Sequence, residues 1–300
     1  MSKKLAYAGI VFLLGASLTA GAQPSDNPFH ATGDRGETVK ILPTPAKAGE
    51  APGHALYAPP SGFAVYRASY GSGNLVDHGG LEIPNAAFKQ VFFNGSTYDA
   101  TTASGINGFV NAFGGGVPDY TIIQQYGSHA PIAPGITNAG VYDGSGGTPS
   151  TISDTQIQSY LAGLFAGGLA ASSSTIYGVY LPAGTTSTMG SSSSCTSYCG
   201  YHSHFTYNGT QIKYAVFPWL SCSGCTLSGR STLDMLTIVT SHEIREAVTD
   251  PGDNGKNAWY DRRGYEADDK CAWHNLYPMK TGGYWVQPEY SNANGGCVVP

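Results

Sequence analysis

The ten residues SHEIREAVTD, Ser241 to Asp250, hold the densest chemistry in the chain. They begin like the zinc-peptidase signature H-E-x-x-H, in which two histidines one helical turn apart bind the metal and the intervening glutamate serves as base. Glu246 stands where the second histidine would be. An imidazole and a carboxylate at i and i+4 still reach one cation from the same side of a helix. Glu243, beside the first ligand, is then placed to act as general base towards a water activated by the metal. A third ligand must come from elsewhere. The downstream stretch NAWYDRRGYEADDKC offers Glu266, twenty residues past Glu246, a spacing that resembles zinc peptidases with a downstream glutamate ligand. Asp250, Asp261 and Asp269 are weaker alternatives. The metzincin arrangement fails, because Gly252 stands six residues past Glu246. Zinc is the first expectation, and two carboxylates would also suit manganese or calcium.

The helix that must carry these groups is readable. At about 100° per residue, Met235, Ile238 and Val239 fall within about 60° of His242, and Glu246 and Thr249 continue the same stripe. The stripe expected to be buried therefore turns from apolar to ionisable at His242. Unpaired buried charge is costly, so a metal or a dense hydrogen-bond network must compensate. The network alternative has His242 bonded to Glu246 and Thr249 with no metal. His202 and His204, in CGYHSHF, would project from one face of a strand, either as a metal pair or with one of them structural. The tail aromatics Trp259, Trp273 and Trp285 could form a carbohydrate-binding surface or a local core. The chain contains neither a Gly-x-Ser-x-Gly elbow nor a P-loop.

Around this helix the pattern predicts a strand in FKQVFFNG, a helix in INGFVNAF, a strand in YTIIQQYG and a helix in STISDTQIQSYLAGLF with Ser153 and Gln156 as a capping box. A strand follows in TIYGVYLP. A hairpin then turns at Asn208-Gly209, and the long helix runs from about Ser231 to Pro251-Gly252. The order suits an α/β (α+β) fold, a mixed sheet with packed helices. We expect it to be zincin-like and closed by a loop-rich, disulfide-bonded C-terminal tail.

Residues 1–22 read as a secretory signal peptide, with Lys3 and Lys4 before a short apolar run and Ala20-Gly21-Ala22 as the cleavage pattern. Residues 23–61 are punctuated by Pro and Gly and read as a linker or pro-segment. Residues 62–300 read as one domain. The 300-residue chain has a net charge of −5, and removing Lys3 and Lys4 makes it more acidic still. That disfavours nucleic acid and anionic membrane as partners, and no integral membrane segment is expected after signal removal. All six cysteines follow residue 190. In an exported chain they argue for disulfides: short loops Cys195–Cys199 and Cys222–Cys225, and a longer closure Cys271–Cys297. A four-cysteine zinc site is the alternative for the close pairs.

Several linked motifs carry a family resemblance. They are SCTSYCGYHSHF, KYAVFPWLSCSGC, the helix ending AVTDP, the series Trp259, Glu266, Asp269 and Cys271, and the final Cys297. Together they resemble the plant phosphate-induced, EXORDIUM-like extracellular proteins over roughly residues 85–300, most strongly from Cys195 onward. The resemblance implies a secreted protein of a family associated with cell-wall growth and signalling, without a settled enzymatic activity. Two features depart from it. Cys222 and Cys225 stand one residue closer together, and plant members often lack the His-Glu pair of the long helix. Groups that relatives fold without are better candidates for function. The sequence thus points to a secreted or periplasmic metal-dependent hydrolase, a peptidase acting on extracellular protein or peptide. The alternative is a non-enzymatic extracellular protein that binds glycan or another cell-envelope component.

Overall fold

Alternation along the central strands sends side chains into two separate cores. Phe88 and Phe92 of strand Ala87–Phe92, Ile176 and Tyr180 of strand Thr175–Tyr180, and Ala215 and Phe217 of strand Thr210–Phe217 face one of them. Val91, Tyr177, Val179, Tyr214 and Val216 face the other. Strands buried on both faces need cover on both sides, and helices supply much of it. The computed structural model describes residues 27–49, 63–93, 98–144, 147–252 and 255–300. The expected signal peptide lies outside the described residues.

The result is a mixed α+β architecture around a seven-stranded sheet. Its order is His30–Thr32, Thr38–Pro43, Tyr198–Tyr207, Thr210–Phe217, Thr175–Tyr180, Ala87–Phe92, Thr137–Asp143. The first four strands pair antiparallel and the last four parallel. Helices Ala100–Phe113 and Thr232–Thr249 cover one face, with the C-terminal segments packed beside them. Helix Asp154–Ala166 covers the other.

Most local signals hold. Ile106, Phe109, Val110 and Phe113 are the buried face of helix Ala100–Phe113, capped by Asp99. Ser153 and Gln156 form the capping box of helix Asp154–Ala166. Asn208 and Gly209 both take positive φ at the hairpin turn, as a two-residue primed turn requires. Ser231 and Asp234 form a second capping box at the start of the long helix, which stops at Asp250 before Pro251.

Three expectations are corrected. YTIIQQYG is not a strand: Pro118–Thr121 is a helical turn and Ile122–Tyr126 a 3-10 helix. Pro118 sits in the first turn, where its missing N–H costs nothing, and Ile123 and Tyr126 are buried at the i,i+3 spacing that such a helix aligns. The span read as linker or pro-segment contributes His30–Thr32 and Thr38–Pro43 to the central sheet. They pair with each other, and Thr38–Pro43 joins the sheet through Tyr198–Tyr207, which is remote in sequence. The cysteines of the two expected short loops cross-pair instead as Cys195–Cys222 and Cys199–Cys225, while the expected Cys271–Cys297 closure forms. The first two staple the start of strand Tyr198–Tyr207 to the loop after Phe217, in place of two local loops. No free cysteine remains among the described residues, which leaves no thiolates for a four-cysteine zinc site. No helix among them is long and apolar enough to cross a membrane.

The long helix lies very close to strand Tyr198–Tyr207. At Gly200 an added Cβ would collide with Cγ1 of Val239 and stand 3.0 Å from Oε1 of Glu243. Val239 is β-branched and stiff in a helix, so it cannot move aside cheaply. Gly200→Ala is therefore expected to cost about 1–3 kcal/mol. At roughly 2–4 °C per kcal/mol for a chain of this size, thermal denaturation should show a Tm lowered by about 2–10 °C. An unchanged Tm would mean that strand and helix are not in this close contact.

Candidate metal centre

The long helix is enclosed on every side. From Met235 to Thr249 every residue is buried, between the sheet, helix Ala100–Phe113 and the C-terminal strand Trp285–Val286. The apolar-to-ionisable stripe is real, but the opposite flank is buried too and carries Arg245. Two polar systems result, one on each side.

On the first side, the Arg245 guanidinium pairs with Asp268 through Nη2 and, at 3.1 Å, through Nε. Nε also lies 3.0 Å from Oε2 of Glu289. Nη1 donates to the Asp119 carbonyl at 2.9 Å and Nη2 to the Gln287 carbonyl at 3.2 Å. Gln287 Nε2 donates in turn to the Asp268 carbonyl and carboxylate. The neighbouring carboxylates hold the guanidinium firmly charged against the cost of its burial. This system is a structural clamp between the helix and the tail.

On the second side, Lys40 reaches in from strand Thr38–Pro43, next to the edge strand His30–Thr32. Its Nζ stands 2.9 Å from Asp250 Oδ2 and 2.9 Å from Glu266 Oε2. Register places Lys40 opposite His202, and the His202 ring turns towards the helix. His202 Nδ1 lies 3.0 Å from Glu243 Oε2 and 3.8 Å from Glu246 Oε2, and Nε2 lies 3.9 Å from Glu266 Oε1. His242 Nε2 lies 3.0 Å from Glu246 Oε2 and 3.7 Å from Asp269 Oδ1. The backbone N–H of Asp269 donates to Glu246 Oε1 at 3.0 Å, which fixes that carboxylate. The His242 ring also lies beside the Gln287 side chain, while His202 Nε2, Glu243 Oε1 and Glu266 Oε1 have no well-aligned hydrogen-bond partner.

These distances suit a metal. Donors about 2.0–2.1 Å from a tetrahedral zinc stand roughly 3.4 Å from one another. Two donor sets have all their ligand atoms within 4.8 Å of one another: His242, Glu246 and Asp269, and His202, Glu246 and Glu266. Packed together out of water, the groups resist ionisation. Burial, then repulsion from Glu246 and Asp269, pushes Glu243 well up. Burial and repulsion from Glu266 raise Glu246, and burial and repulsion from Glu246 raise Asp269. Burial lowers His242 to about 4 and, with the charge of Lys40, depresses His202 as well.

Of the predicted ligands, His242, Glu246 and Glu266 all reach this centre, but His242 and Glu266 fall in different donor sets. Asp269, a weaker alternative in the sequence, is the carboxylate that faces His242. Asp250 borders the centre as a partner of Lys40 and accepts from the Ala258 N–H. Asp261 lies apart, pairing with Lys270 at 3.0 Å and organising its own turn. Thr249 bonds to the carbonyls of Arg245 and Glu246, so the metal-free network expected between His242 and Thr249 does not form. Lys40 and Arg245 were not anticipated, and only the H-x-H pair signalled His202. The tail aromatics pack inward: Trp273 is fully buried, and Trp259 donates to Glu82 and packs on Tyr126. No family model, curated protein or solved structure matches this chain.

Arg245→Met should leave Asp268 and Glu289 as buried carboxylates without a cation, at a cost of about 3–5 kcal/mol. Urea denaturation should show it, and the combined variant Arg245→Met, Asp268→Asn, Glu289→Gln should recover much of the loss. Equal stability of Arg245→Met and the unsubstituted protein would contradict the clamp.

Proposed function

We propose that the protein is a metal-dependent hydrolase that works outside the cell, built on a zincin-like arrangement of helix and base, with a peptide as its substrate. The observation that carries this reading is His242 facing Glu246 and Asp269 in full burial, its Nε2 3.0 and 3.7 Å from their carboxylates. Buried carboxylates in this position need a counter-cation, and imidazole with carboxylate is a zinc or manganese donor set. Bound there, such an ion would supply Lewis acidity and a water reactive at neutral pH.

The chain's own residues supply the rest. Glu243 Oε2 is held against His202 Nδ1, while Oε1 has no hydrogen-bond partner and is available to accept a proton. His202 also lines a cavity of about 100 Å³, together with Lys40, Ser203, His204, Asp250 and Gly252. Protons and a small part of a substrate would enter on that side. A space of this size fits a chain end or a single side chain better than an extended segment. The three disulfides and the resemblance to EXORDIUM-like extracellular proteins support a site of action outside the cell.

One observation favours a second reading: His242, Glu243 and Glu246 are at most 1% exposed. So enclosed a metal could be purely structural, in a non-enzymatic protein of the cell envelope. Two measurements separate the readings. Metal analysis of the purified chain should find a stoichiometric divalent ion. Saturating metal, at about 100 times its Kd, should stabilise by roughly 2.7 kcal/mol, so a chelator should lower the Tm by about 5–10 °C. Glu243→Gln should retain metal yet lower kcat on a peptide library by about 100-fold or more. Absence of metal with an unchanged Tm in chelator sinks the metal centre. Bound metal without Glu243-dependent hydrolysis favours the structural reading.

A further inference from the structure

The second donor set has a role of its own. His202, Glu246 and Glu266 come from a strand, the helix and the C-terminal tail, and His202 is the one of the three that lines the cavity. His202 Nε2 and Glu266 Oε1 are both buried and both without hydrogen-bond partners, 3.9 Å apart. Each is held in place by the other end of its side chain. Glu243 fixes the His202 ring through Nδ1, the arrangement in which a carboxylate orients a metal-ligating histidine. Lys40 holds Glu266 through Oε2 and leaves Oε1 turned to His202. Glu246 is common to both sets, and both histidines approach the same oxygen, Oε2, His242 Nε2 at 3.0 Å and His202 Nδ1 at 3.8 Å.

Charge leaves room for more than one ion. Glu243, Glu246, Asp250, Glu266, Asp268, Asp269 and Glu289 are buried together, against Lys40 and Arg245. Fully ionised, they leave an excess of five negative charges; one divalent ion leaves three and two leave one. We propose that Glu246 bridges two divalent metal ions, one held with His242 and Asp269 and the other, on the cavity side, with His202 and Glu266. The proposal rests on the metal-centre reading above and deepens it. A carboxylate-bridged pair is the arrangement in which two ions clamp the attacking and leaving oxygens of a hydrolytic displacement, and the cavity-side ion is the one a substrate would meet.

The test is zinc stoichiometry on the intact folded chain, stripped with chelator, reloaded with Zn²⁺ alone and counted by elemental mass spectrometry and titration calorimetry. Two zinc ions per chain are expected. His202→Ala should retain one ion, His242→Ala one and Glu246→Ala none, with circular dichroism confirming that each variant folds. The count in the unsubstituted chain needs no variant to fold. One ion per chain there overturns the pair and leaves the single-ion centre standing, and none overturns both. Two ions that persist in His202→Ala overturn the assignment of the second site. Loaded with Mn²⁺ instead, the protein should give an exchange-coupled resonance spectrum, and two uncoupled six-line signals would count against the bridge.

Discussion

Burial of like charge around one helix sets the terms for the rest of this structure. Carboxylates from the helix, from the tail after Trp259 and from Glu289 converge on a space with almost no solvent. Removing ions from water costs several kcal/mol each, and attraction offsets that cost only where partners are well placed. Arg245 meets the condition for Asp268 and Glu289, and Lys40 for Asp250 and Glu266. Glu246 and Asp269 have no such partner, and there the two histidines stand.

The architecture holds this charge in place. Gly200 lets strand and helix approach closely enough for the His202 ring to meet Glu243. The Cys199–Cys225 staple anchors that strand just before His202. The Cys271–Cys297 bridge pins the short 3-10 helix Asp269–Cys271, whose first residue faces His242. Disulfides thus restrain segments from the strand and from the tail that repulsion among carboxylates would otherwise drive apart. The two cations enter from opposite directions, Lys40 from strand Thr38–Pro43 and Arg245 from within the helix. Helix, strands and tail are tied together by charge as much as by the apolar core.

The site also changes the meaning of the motif. Read as a peptidase signature, Glu246 replaces a histidine. In the folded chain a second imidazole does stand beside Glu246, but it is His202, forty-four residues upstream. The carboxylate at this position lies within 4 Å of both histidines.

Local order was legible wherever it is encoded locally. The cap at Ser153, the start of the long helix near Ser231, the Asn208-Gly209 turn and the i,i+4 relation of His242 to Glu246 all depend on residues within one turn of one another, so spacing alone reveals them. The acidic segment after Trp259 was also recognisable as the place to seek another ligand. Which acid serves which histidine was not, because that depends on how the tail crosses the helix. Asp269 rather than Glu266 faces His242, and Glu266 turns to Lys40 and His202. The strand carrying Lys40 was not recognised, since its place comes from pairing with His30–Thr32 and with the remote Tyr198–Tyr207. The crossed disulfides and the helical 118–126 segment belong to the same class. Helical periods and turn preferences are properties of a few consecutive residues. The partners of a buried charge are set by sheet register, chain crossing and the distance between segments, and these exist only once the whole chain has packed.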